Sequence, residues 1–207
     1  MFLEVSMESR AGSLSLRGGV LALDFANTAG ARDTTAPIEH LLAATDVVAW
    51  GTHAGSLDTE GAKRASAAIG TDREAARRVL RHAVQLRDAI YAAGAAIAHG
   101  NPPPAVDLKT LKDVAQRAMG TAELVPRAAG GYGLDFSQAP IEAALLGPIA
   151  WSAIELLATT PFERIKQCPA HDCGWLFLDT SKNNTRRWCD MATCGNRSKA
   201  TRFRDRH

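Results

Sequence analysis

The run LSLRGGVLALDFANT alternates apolar and polar positions on both sides of Gly18-Gly19. Paired glycines supply the positive φ angles of a tight turn, so this pattern predicts a β-hairpin over residues 13–26. Thr35 and Pro37 mark a helix start before IEHLLAATDVVAW, with a break and second cap at Asp46 and with Trp50 facing inward. The strongest periodicity lies in TDREAARRVLRHAVQLRDAIYAAGAAIAH. There Thr71 and Glu74 form a capping box, Val79, Leu86, Ile90 and Ile97 recur at helical spacing, and Gly100 with three prolines ends the run. A further helix is expected over residues 107–119, stopped by Gly120. ELVPRAAGGYGLDF repeats the hairpin logic around Gly130-Gly131, which predicts a second strand pair beside the first. In the last long apolar segment, IEAALLGPIAWSAIELLAT, Pro148 either kinks one helix or opens another.

These elements describe an α+β unit, mainly helical with a small antiparallel sheet, over residues 1–162. From residue 163 to 207 the texture changes and a small separate unit is expected. The hydrophobic fraction of 46% and charged fraction of 22% are those of a globular chain. No run approaches the roughly 18 apolar residues of a membrane span. The N-terminus carries acidic residues and lacks an apolar signal-peptide core, which places the protein in the cytoplasm.

Charge is distributed unevenly. Residues 1–162 carry 14 Lys/Arg against 17 Asp/Glu, net −3, whereas residues 163–207 carry 10 against 5, net +5. The basic tail also holds all four cysteines, spaced Cys168-x4-Cys173-x15-Cys189-x4-Cys194. Two close pairs bridged by a loop suit a tetrahedral zinc ion, and a closed all-cysteine set is structural because no position is left for water or substrate. One structural Zn2+ per chain is therefore expected, with His171 as the alternative fourth ligand. Trp175, Phe177, Trp188 and Phe203 supply most of the apolar bulk of this finger. GWLFLDT reads as a strand, SKNNT as a turn, RRWC as the returning strand, and the residues after Cys194 as a helix, a treble-clef-like order.

The cations Lys182, Arg186, Arg187, Arg197, Lys199, Arg202, Arg204 and Arg206 face only Asp190 and Asp205, a local excess of +6. Such density favours a polyanion through phosphate contacts, and Asn196 adds a side chain able to read adenine. DNA is the expected partner. The competing reading is a protein-interaction module that docks an acidic partner. An RR pair could also bond to Asp179 or Asp190, and Gly195 could serve only close packing at the metal. No nucleophile triad, phosphate-cradling glycine loop or redox CxxC is present, so an enzyme is not expected.

The string WLFLDTSKNNTRRWCDMATCGNRSK resembles the CGNR zinc-finger family of bacterial proteins, spelled here by Cys194, Gly195, Asn196 and Arg197. GGVLALDFANT and QLRDAIY likewise resemble the LDFxNT signature and later LR-containing helix of the ABATE domain that precedes such fingers. The resemblance implies a transcription regulator, linked to stress, with a DNA-binding C-terminus and a sensory or dimerising N-terminal domain. A homodimer would let two short fingers read two half-sites; the effector of the N-terminal domain stays unnamed. Asp24, Asn27 and Thr28, at the end of the expected strand, either organise an Asx turn or line a ligand pocket. Arg87 is expected to pair with Asp24 as a buried brace or switch.

Overall fold

The computed structural model describes residues 9–32, 34–35 and 37–204, with the side chains of Arg202 and Phe203 outside the description. Its elements, in order, are α1 (Leu21–Ala26), β1 (Ala29–Gly30), β2 (Ile38–Glu39), α2 (Ala44–His53), α3 (Thr59–Thr71), α4 (Arg73–Ala98), α5 (Ala105–Met119), β3 (Glu123–Pro126), β4 (Tyr132–Asp135), α6 (Ile141–Thr159), β5 (Ile165–Gln167), β6 (Leu176–Leu178) and α7 (Asn196–Arg204). The strands form three separate antiparallel pairs, β1–β2, β3–β4 and β5–β6. A mainly helical α+β fold is thus observed, with a four-cysteine unit at its C-terminal end.

The expected first hairpin is a helix instead. Ala22, Leu23, Phe25 and Ala26 are all buried, and their spacing of one, three and four residues is helical. A short helix submerged on nearly every side has no polar stripe, so its apolar run mimics strand alternation. Gly18 is kept as glycine for a different reason: an added Cβ would lie 2.6 Å from the backbone nitrogen of Asp24. The strand pair β3–β4 therefore has no hairpin beside it, and turns through Gly130 and Gly131 at φ +89° and +76°.

The helix expected after Pro37 starts later, at Ala44, with β2 in between. Asp46 does not break it. Its carboxylate accepts from the backbone N–H groups of Leu42 and Ala43, as an N3 residue that closes the helix start. Trp50 is fully buried, its ring 4.8 Å from that of Phe25. The long helix is capped by Asp72 rather than Thr71. The Asp72 carboxylate accepts from Glu74 and Ala75, while Thr71 ends α3, a helix the polar and alanine-rich sequence TEGAKRASAAIGT did not announce.

Helices α4 and α6 form the centre. Val79, Leu86, Ile90 and Ile97 of α4 are buried as expected, against α1, α5 and α6. α6 runs unbroken through Pro148, and Leu145, Leu146, Ile149 and Ala150 are almost wholly buried. By length and composition α6 could cross a membrane, against the expectation of no such run, but here it is the core helix. The main apolar cluster also takes in Ile165 of β5 and Leu176 of β6. The core therefore continues past residue 162 into the cysteine-bearing segment.

Candidate metal centre and basic face

The cysteine unit is assembled from a knuckle, a hairpin and a helix. β5 and β6 pair with Lys166 opposite Phe177, so the partner of the WLFL strand is the segment before Cys168 and not RRWC. At the knuckle, the Cys168 N–H donates to Trp175 O at 2.8 Å and the Cys173 N–H to Ala170 O at 3.0 Å. The chain then turns through Gly174 at φ +68°. Of the second cysteine pair, Cys189 precedes and Cys194 lies on a π-helical turn, Met191–Gly195, which Asp190 caps by accepting from Ala192 N at 2.7 Å. α7 continues directly from this turn. A Cβ on Gly195 would stand 2.5 Å from Met191 Sδ, so close packing explains that glycine.

All four cysteines are buried, and their Sγ atoms lie within 4.8 Å of one another. Cys189 Sγ is 3.6 Å from both Cys173 Sγ and Cys194 Sγ. A tetrahedron with Zn–S bonds of about 2.3 Å has edges of about 3.8 Å, so the donor set fits a zinc ion in both chemistry and spacing. Packed this closely, the thiols compete for their protons. Hydrogen bonds from Cys173 and Cys189 draw the Cys168 thiol down to about 2, and the Cys168 contact pushes Cys173 up to about 12 and Cys189 higher still. A divalent cation removes that conflict by stabilising every thiolate at once. Arg197 adds positive charge beside the cluster, its Nη2 being 3.5 Å from Cys194 Sγ and 3.0 Å from Asp172 Oδ1. His171 is exposed and lies outside the cluster.

The unit is bolted to the helical core by the residues that carry the LDFANT motif. Asn27, 2% exposed, accepts from the Leu176 N–H through Oδ1 and donates to the Leu176 carbonyl through Nδ2, both at 2.9 Å. The side-chain amide thus replaces a missing neighbouring strand for β6. Asp24 Oδ1 accepts from Gly18 N at 2.7 Å, and Gly18 O in turn accepts from Leu178 N at 2.7 Å. Burial raises the Asp24 carboxyl above its ordinary value, against the N–H groups of Gly18 and Arg17 and the charge of Arg186. Thr28 closes the turn onto Phe25 O. Helix α4 approaches β6 so closely that a Cβ on Gly94 would sit 2.7 Å from Leu176 Cδ1.

Arg87 does not reach Asp24. It is 3% exposed and pairs with Glu39 at 2.5 Å and Asp88 at 3.1 Å, fastening β2 to α4. Asp24, Asn27 and Arg87 are therefore three separate braces and not one pocket.

The basic residues divide by location. Arg186 is turned inward: its guanidinium donates to the carbonyls of Trp188, Leu178, Arg17 and Cys189 and lies 4.5 Å over the Phe177 ring. Lys182 and Arg187 are exposed, Arg187 resting 5.4 Å from the Trp188 ring. On α7, Asn196, Arg197, Lys199 and Arg204 are exposed, with Asn196 Nδ2 donating to Ala192 O. The side chain of Arg202 and all of Arg206 lie outside the described residues.

One buried group was not foreseen as an organiser. Asp179, fully buried, is pushed up by desolvation but held well below the usual carboxylate range by Lys166 Nζ at 2.5 Å, the Ser181 hydroxyl and N–H, and the Arg186 N–H. It shapes the loop from residue 179 to 186. The D-x-S order was the available signal, since such sequences form Asx turns; the Lys166 partner is non-local.

The profile of the ABATE family, described as "Putative stress-induced transcription regulator", matches residues 19–160. The chain belongs to the ABATE family. A second profile, the CGNR zinc finger, matches residues 164–207. Comparison with curated proteins gives no match. Both matched families are regulator or zinc-finger types, and the four-cysteine set of this ABATE chain holds one structural zinc ion.

Proposed function

We propose that the protein is a cytoplasmic transcription regulator that binds DNA through the zinc finger. Residues 1–162 act as its regulatory domain and residues 163–207 as its DNA-contacting unit. Cys168, Cys173, Cys189 and Cys194 each give one thiolate to the zinc, which clamps the N-terminal end of α7 to the knuckle. The observation that carries this reading is α7 itself. It leaves the metal turn with every described side chain except the half-buried Ser198 exposed, and presents Arg197, Lys199 and Arg204 on a nine-residue helix. Helices this short are marginal alone, so a metal-fixed first turn is what keeps such a helix ready to enter a groove.

Lys182 and Arg187 extend the cationic surface toward phosphates on either side, and Asn196 stands at the helix start. Arg186 supports the finger from within and is not part of the contact set. A pair of chains would place two such helices on successive half-sites.

The test is duplex binding by the zinc-loaded chain across a salt series. Affinity should fall linearly with log salt, and Lys199→Ala with Arg204→Ala should reduce the slope by about 2 while leaving the melting temperature unchanged. Salt-independent binding, or none to any duplex, would leave docking of an acidic protein as the better account.

A further inference from the structure

A cleft of about 460 Å³ opens between the α2–α3 loop, the β3–β4 ribbon and α6, and no cysteine lines it. Its charged groups are three carboxylates, from Asp58, Asp135 and Glu155, against the guanidinium of Arg127. Arg64 reaches the rim and donates to the Ser137 carbonyl. With both arginines counted, the cleft keeps one negative charge in excess. None of the five groups is in an ion pair among the described residues. Arg127 is laid across Gly133, where a Cβ would strike its side chain, on the same wall as Asp135. Asp135 is engaged locally, by the Ser137 N–H and hydroxyl at 2.8 Å each. One Asp58 oxygen caps α3 by accepting from Gly61 N at 2.6 Å. The other Asp58 oxygen and the Glu155 carboxylate stay open, so the negative excess falls on the α3 and α6 walls.

The α6 wall carries an independent signal. Ala144, Pro148, Trp151, Ser152 and Glu155 recur at helical spacing on one face. Pro148 has no N–H, so the carbonyl of Ala144 lacks the donor that continues a helix. No side chain among the described residues supplies one. Trp151 is only half-buried, on a helix that is apolar enough to cross a membrane; such a helix is normally covered on every side. An orphaned acceptor beside an uncovered indole fits a ligand that has both an N–H donor and an apolar body.

We propose that this cleft binds a small primary ammonium ion with an arylalkyl body. The single negative excess matches a monocation. Three N–H donors on the ammonium match the acceptors that stand open, which are Asp58, Glu155 and the Ala144 carbonyl. Trp151 and Leu57 take the apolar body, and an indole face also attracts a cation. The volume lies within the range of small-molecule sites. Binding here is independent of the DNA-binding reading of α7. The place of the cleft still connects it to the finger: Leu21, at the cleft, opens α1, and Asn27, just beyond the other end of that helix, brackets β6.

The test uses the isotope-labelled, zinc-loaded full chain without DNA, so its failure is separate from any failure of DNA binding. Phenethylammonium chloride is titrated at matched ionic strength, with 2-phenylethanol as the uncharged control and methylammonium chloride as a cation without the body. Saturable shifts are expected at the Trp151 indole and at the amides of Ser56, Leu57 and Ser152. The alcohol should bind about tenfold more weakly, for loss of the charge-assisted contacts. Asp58→Asn keeps an oxygen that can cap α3 and removes only the charge. This variant and Glu155→Gln should each weaken phenethylammonium several-fold, with melting temperature and zinc content unchanged. Unmoved resonances, equal affinity for the amine and the alcohol, or an unaltered affinity when Asp58→Asn and Glu155→Gln are combined would overturn the proposal. So would methylammonium saturating the same resonances at the same concentration, which would make the cleft an unselective acidic surface.

Discussion

A single side-chain amide, that of Asn27, holds both backbone polar groups of Leu176 in the fully buried interior. Asn27→Ala leaves a donor and an acceptor unpaired there, at about 1–3 kcal/mol for each group. Urea unfolding of the zinc-loaded protein should show a loss of at least about 2 kcal/mol, and an unchanged midpoint would deny the bracket. His40 supplies a pH signature. Burial lowers its pKa below the ordinary 6.5, aided by Arg10 and Arg87 and opposed by Glu39 and Asp46. The unfolded chain then takes up the proton first as pH falls, so stability is full above about pH 6.5 and declines below it. His40→Gln should flatten the stability profile between about pH 7 and pH 5.5; the same slope in variant and wild type would assign it to other groups. Such roles are only partly legible in a sequence. The motif showed that Asp24, Asn27 and Thr28 matter, but Asp24 and Thr28 close local turns while the backbone that Asn27 holds, at Leu176, lies 149 residues away. Arg186 and Arg187 look equivalent in the chain, and only the carbonyls that converge on Arg186 separate an internal strut from a surface cation.

Among the elements, α4 and α5 were readable because each carries an apolar stripe and an end signal, Asp or Pro at the start and Gly after the stop. The exact cap was not: Thr71 and Asp72 are both competent N-caps, and the structure gives the role to Asp72. Asp72→Ala should lower the unfolding midpoint and Thr71→Ala distinctly less, as measured by thermal unfolding; the opposite order would restore the Thr71 box. α1 misread as a hairpin because burial on all sides erases periodicity. β5, at three residues, carries too little pattern to be read in the sequence, and it precedes β6 in the chain whereas RRWC follows it. The zinc site was legible for the opposite reason: two short cysteine spacings define a local geometry that needs little help from the rest of the fold.

At the scale of the whole molecule, charge and packing organise different parts of the chain. Charge separates a basic finger from an acidic helical domain. Packing joins them, since Ile165 and Leu176 sit in the same apolar cluster as Leu86, Ile90 and Ile149. The zinc therefore fixes more than the finger. Without it, β6 loses its anchored turn, and Asn27, Gly18 and Gly94 lose the surface they are shaped to meet. Hydrogen exchange of the full chain with and without a zinc chelator tests this coupling most directly. Chelation should raise exchange across residues 165–204 and also in α1 and along α4 around Gly94, in one cooperative step. Faster exchange confined to residues 165–204, with α1 and α4 protected as before, would contradict a shared core and leave the finger as an independent appendage.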